Sequence, residues 1–140
     1  MLGMRLYRVH EDGITLACRV REKLRNSAGI AHGGVAAAMA DAAVEIAIQR
    51  HFGGGRAITT VEMKVNYFQP VARGNLFARS HLLRIGCTLC VGLVDLSDAG
   101  ARPVGAALVT YMFLDRLRDS QTTPSATSPG RRGRAHADPH

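Results

Sequence analysis

Gly34 to Arg50 restricts the fold more than any other stretch of the chain. It reads Gly-Val-Ala-Ala-Ala-Met-Ala-Asp-Ala-Ala-Val-Glu-Ile-Ala-Ile-Gln-Arg. These are mostly strong helix formers, and Gly53-Gly54-Gly55 just beyond them stops a helix. Three polar side chains, Asp41, Glu45 and Gln49, fall at i, i+4 and i+8, so they share one narrow stripe. A helix that is apolar around most of its circumference must be covered on most sides. Its many alanines let neighbouring backbones come close. The rest of the chain is short, so either a sheet curls around this helix or a second copy covers its open side.

The remaining segments supply the sheet. Arg5 to His10 is a first candidate strand, and Asp12-Gly13 signals a turn. Ile14, Leu16, Cys18 and Val20 alternate with Thr15 and Arg19, the period of a half-buried strand, so a hairpin is expected here. Arg21 to Arg25 connects to the helix. Strands follow at Ala57–Phe68 (ended by Gln69-Pro70), Asn75–Ile85, Thr88–Ser97 and Val104–Leu114. The short links predict antiparallel neighbours. The resulting class is α+β, a curved antiparallel sheet around one long central helix. From about Asp119 the composition turns to Ser, Thr, Pro, Gly and Arg without periodicity. We therefore expect one domain over residues 1–118 and a disordered tail over 119–140.

The chemistry concentrates just before and inside the helix. Asn26-Ser-Ala-Gly-Ile-Ala-His32-Gly33-Gly34 joins a polar turn to a glycine hinge, and Asp41 follows two turns later. Gly33 and Gly34 let a ligand approach the backbone with no β-carbon in the way. A helix starting there offers free N–H groups to an anion or a developing oxyanion. The alternative for Gly33 is a plain turn, and for Asn26 a turn or N-cap residue. Asp41 reads either as a general base or nucleophile or as part of a solvated stripe. His32 either assists a leaving group or holds the loop. Thr60 can bond a carboxylate or simply occupy a strand. His10, His51 and His81 accompany no motif, so surface or packing roles are expected of them.

Other features narrow the class. No apolar stretch is long enough to span a bilayer, since Asp41 and Glu45 interrupt the helix. The first residues lack the apolar core of a signal peptide, so a cytoplasmic location is expected. The net charge of +7 is spread out, with no basic run before Arg131-Arg132-Gly133-Arg134. Such a surface suits an acidic or phosphorylated small molecule as well as nucleic acid. Aromatic residues make up 5% of the chain and no nucleic-acid motif is present, which argues against a nucleic-acid binder. Cys87 and Cys90 form a C-x-x-C string in a run that reads as strand. Residues three apart in a strand face opposite sides of the sheet, and no second Cys/His pair accompanies them. Apolar packing is therefore expected, and no metal site.

The order of elements and one set of residues resemble the hotdog-fold acyl-CoA thioesterases of the PaaI type, over about Val9 to Leu114. The matching string is Asn26-x-x-Gly29-x-x-His32-Gly33-Gly34 with Asp41. Downstream come Ala57-Ile58-Thr59-Thr60-Val61-Glu62-Met63-x-Val65-x-Tyr67 and Pro70-x-x-x-Gly74. The resemblance implies hydrolysis of an aryl- or medium-chain acyl-CoA without metal or cofactor, coenzyme A entering as part of the substrate. It implies edge-to-edge homodimers, commonly paired into homotetramers. It also implies a site across the dimer interface, with Asp41 and Thr60 from one chain and Asn26, His32 and Gly33 from the other. Where the family often has a basic residue after the glycine of the Gly86 turn, this chain has Cys87. Arg56, Arg73 and Arg84 are then the candidates to hold the CoA phosphates. A non-catalytic acyl-CoA binding protein on the same fold is the alternative. A hotdog dehydratase fits less well, because no His follows Asp41 before His51.

Overall fold

The computed structural model describes residues 2–115. The expected tail, Asp119–His140, lies outside the described residues. Two strands, β1 (Arg5–His10) and β2 (Gly13–Arg19), precede helix α1 (Gly33–His51). Four more follow: β3 (Ile58–Tyr67), β4 (Asn75–Ile85), β5 (Leu89–Ser97) and β6 (Pro103–Phe113). All pair antiparallel into one sheet of order β1-β2-β4-β5-β6-β3. This is the expected α+β fold, one long helix against a curved six-stranded sheet.

One neighbour relation differs from the expectation. β3 does not pair with β4, although the two are consecutive; it lies against β6 at the far edge, and β2 takes the place beside β4. Residues 68–74 are too long and too proline-marked for a hairpin turn, so they carry the chain across the sheet instead. The other short links, around Asp12, Gly86 and Asp98–Arg102, do join antiparallel neighbours.

The apolar circumference of α1 meets the sheet as its sequence requires. Met39, Ala40, Ala43, Val44 and Ile48 are fully or almost fully buried, against inward residues such as Leu16, Leu76, Val94 and Phe113. Each large side chain so buried contributes about 1.5–3 kcal/mol. The approach at β5 is close: a β-carbon on Gly92 would stand 2.7 Å from a Val44 methyl. The helix ends in a Schellman pattern, with Gly54 N–H on the Gln49 carbonyl at 2.6 Å and Gly53 N–H on that of Arg50. Gln49 also straps the helix to the segment entering β3, bonding both the N–H and the carbonyl of Arg56.

The cysteines separate by position. Cys18 and Cys90 are buried in strands, as expected of apolar packing, and all three are free thiols. Cys87 departs from the expectation. It is exposed in the turn between β4 and β5, because the strand breaks at Gly86.

Candidate active site

The loop before α1 is tied by its own polar groups. Asn26 Oδ1 accepts the N–H groups of Ala28 (3.0 Å) and Ile30 (3.3 Å), while its backbone N–H donates to the Ile30 carbonyl. Asn26 therefore builds the turn, and its amide Nδ2 is the donor left over. His32 is the N-cap residue. Its N–H donates to the Leu24 carbonyl and its carbonyl accepts from Val35, so its backbone locks the loop to the helix. Its imidazole is exposed and has no hydrogen bond among the described residues. The N–H groups of Gly33 and Gly34 likewise find no acceptor among the described residues, as the first turn of a helix predicts.

Tyr67, at the end of β3, covers this helix start. Its hydroxyl donates to the Gly33 carbonyl at 2.7 Å, and a β-carbon on residue 33 would lie 3.2 Å from the phenol ring. A larger residue at 33 would thus force the Tyr67 ring to give way by a few tenths of an ångström. Asn26, His32, Gly33, Tyr67 and Gln69 open on a cavity of about 460 Å3, walled otherwise by apolar side chains including Ile30, Leu76 and Leu96.

Asp41 sits on the same helix with different company. Its Oδ1 accepts two hydroxyls, Thr60 at 2.7 Å and Tyr111 at 2.6 Å. Tyr111 also reaches the Asp41 backbone carbonyl at 3.0 Å. Oδ2 has no hydrogen-bond partner among the described residues. Burial, first, and the bond to Asp41 hold the Tyr111 phenol well above its ordinary pKa, so it stays a proton donor. The solvated-stripe alternative applies only to Glu45, which is exposed; Asp41 and Gln49 are both engaged.

The two groups do not meet within one chain. Gly33 and Asp41 are eight residues apart on a helix, about 12 Å of axial rise. Asp41 does not line the cavity beside Gly33. A single carbonyl group cannot touch both from the same chain.

The three arginines are placed differently from one another. Arg56 is held by Asp115 (2.7 and 3.3 Å) and lies between the rings of Phe52 and Phe113. That clip joins the start of β3 to the end of β6 and commits Arg56 structurally. Arg73 and Arg84 are exposed and form no ion pair among the described residues. They flank opposite ends of β4, so one chain's pair cannot clamp the same phosphate. The remaining histidines have the expected packing or surface roles. His10 bonds Thr15 at 2.7 Å, His81 lies between Asp12 and Asp95 at 2.9 and 3.0 Å, and His51 stacks on Phe52. Among the described residues no cluster of three His, Cys, Asp or Glu side chains is placed to hold a metal ion. No helix there is long and apolar enough to cross a membrane.

Tyr67 and Tyr111 are the participants that the sequence reading missed. Tyr67 stood in the string that carries the family resemblance, but with no role of its own. Tyr111 lies far from Asp41 in sequence and comes to it through the pairing of β3 with β6.

A long helix wrapped by a curved antiparallel sheet defines a hotdog protein. Residues 28–104 match the model of the thioesterase superfamily, and the chain belongs to that family. A Halobacterium salinarum protein provisionally named an esterase is 32% identical over 101 residues, which cover 69% of this chain and 65% of the relative's own length. A thioesterase from Haemophilus influenzae superposes with a TM-score of 0.75 at 22% identity, over 79% of this chain and 78% of its own. The PaaI protein of the Escherichia coli phenylacetic acid degradation operon shares the fold with a TM-score of 0.72 at 18% identity, over 80% of each chain. Family and relatives together support hydrolase activity in general terms.

Proposed function

We propose that the chain hydrolyses an acyl-CoA with an aryl or medium-length acyl group, releasing the free acid and coenzyme A. The observation that carries this reading is the one-sided hold on Asp41: Oδ1 is occupied by two hydroxyls and Oδ2 is open. Acting as a base, Oδ2 takes a proton from water, and the hydroxide adds to the thioester carbon. Acting as a nucleophile, the same oxygen adds directly and water then cleaves the resulting anhydride. Both routes put negative charge on the carbonyl oxygen, and the Gly33 N–H is the donor suited to receive it. Expulsion of the CoA thiolate restores the carbonyl. His32 and the Asn26 amide, among the polar groups at the cavity, are suited to protonate the leaving sulfur and orient the carbonyl. The apolar cavity walls suit an uncharged acyl group.

The separation along α1 supports a site shared between two copies. β3 is an edge strand, and its exposed Val61, Met63 and Tyr67, with Phe68 just beyond it, invite pairing. Antiparallel pairing of two β3 strands would set the Tyr67 end of one copy, over Gly33, against the Thr60 end of the other, beside Asp41. In this reading Arg73 and Arg84 of different copies are the candidates for the CoA phosphates. Pairing of dimers into tetramers remains part of the proposal. The reaction calls for no metal or cofactor, and a cytoplasmic location is part of the same proposal. The test is thiol release from a panel of acyl-CoA thioesters by the wild type and Asp41→Asn. A folded Asp41→Asn protein is expected to lose roughly 100-fold or more in kcat; wild-type turnover by that variant overturns the reading.

A further inference from the structure

We infer that Tyr111 is a positioning residue for this reaction: together with Thr60 it pins one oxygen of Asp41 and so leaves the chemistry to the other. The inference rests on the proposed role of Asp41. Thr60 of β3 and Tyr111 of β6 are directly opposed in the strand register. Their hydroxyls therefore arrive side by side beneath α1, and both meet the same carboxylate oxygen. A carboxylate turns readily about its last torsion. Two donors on Oδ1 fix that torsion and hold Oδ2 in one direction. The Tyr111 hydroxyl has one proton and two acceptors within reach, Oδ1 and the Asp41 backbone carbonyl, and the shorter, charged contact takes it.

The bland alternative is a core tyrosine whose hydroxyl needs a partner. Tyr111 is 3% exposed, and phenylalanine would fill the same space. The two readings differ in what removal of the hydroxyl does. A packing residue costs only stability and leaves turnover alone. A positioning donor fixes the Asp41 torsion, so its loss lowers kcat while KM holds. Tyr111 also lies beyond residues 28–104, so the segment that places the chain in its family does not include it.

The experiment measures kcat and KM on acetyl-, octanoyl- and benzoyl-CoA. Wild type and Asp41→Asn come first: if the wild type turns over none of them, or Asp41→Asn matches it, the site reading itself falls and this inference with it. Once those controls hold, Tyr111→Phe is expected to lower kcat about 10- to 100-fold, the range for one charge-assisted hydrogen bond, with KM within about threefold. An unchanged kcat in folded Tyr111→Phe overturns the inference. Should Tyr111→Phe fail to fold, 4-fluorophenylalanine at position 111 keeps the bulk without the donor and decides alone: a kcat lowered to the same extent with KM held supports the role, and a wild-type kcat refutes it.

Discussion

Gly33 illustrates how much of the site was written at single positions. Its place before an alanine-rich helix pointed to a donor at the helix start, and the N–H is indeed without an acceptor there among the described residues. The sequence could not show the phenol ring of Tyr67 above it. Gly33→Ala would place a β-carbon 3.2 Å from that ring and its oxygen. The ring must move, which weakens the Tyr67 bond to the Gly33 carbonyl and tilts the donor away from its target. We expect kcat to fall on the order of 10-fold or more, because donor geometry is what such groups contribute. Thermal stability should drop only modestly, by about the worth of one hydrogen bond, roughly 1 kcal/mol. Paired kinetics and melting curves check this, and an unchanged kcat contradicts it. Asn26 carries a related lesson: the turn reading holds, since its oxygen builds the loop, and its NH2 is left over for the proposed role.

The β1–β2 hairpin is fastened to the middle of the sheet through its turn. Asp12 pairs with Arg79 of β4 and with His81, which bonds Asp95 of β5 in turn. The Arg79 contact first, and then His81, hold the Asp12 carboxyl at about 2, below its ordinary 3.8. A carboxyl that binds protons less well in the folded chain stabilises the fold above its unfolded value. That contribution is complete above about pH 4 and is lost as pH falls from about 4 to about 2. Asp12→Asn should therefore lower the urea midpoint at neutral pH and flatten its fall across that acid window. Urea titrations of both proteins at several pH values check the expectation, and parallel curves would count against the clasp. The size of the effect is kept small by the exposure of Asp12, which is 48% for its side chain.

At the scale of the whole molecule, the separation of Gly33 from Asp41 along α1 makes the proposed site one of two chains. Asn26→Ala damages the helix-start half, whether through its amide or its loop, and leaves Asp41 sound. Asp41→Ala does the reverse. In a mixed dimer with shared sites, one site receives both lesions and the other receives none. Random mixing makes about half the dimers mixed, so about a quarter of wild-type activity should return for a two-fold assembly. The subunits must be re-mixed by refolding or co-expression, with mixing verified by mass or tag. If each chain completes its own site, every site carries one lesion and nothing returns. Mass by light scattering at micromolar concentration belongs beside this assay, since a monomer would leave the β3 edge and the open side of α1 uncovered.

What the sequence determined by itself was local. Helix formers and a glycine stop bounded α1; alternation marked the strands; the run from Asn26 to Gly34 and the carboxylate at Asp41 stood out because their chemistry is compressed into a few residues. Only the tertiary structure placed β3 beside β6 rather than β4. That choice put Tyr111 opposite Thr60 and both hydroxyls on Asp41 Oδ1. It also set Tyr67 over Gly33 and drew Arg56 into the clip with Asp115. The reason is physical. Periodicity along a chain reports which face of an element is buried, but strand order and register follow from which faces close over one helix together. No short stretch of this sequence contains that information.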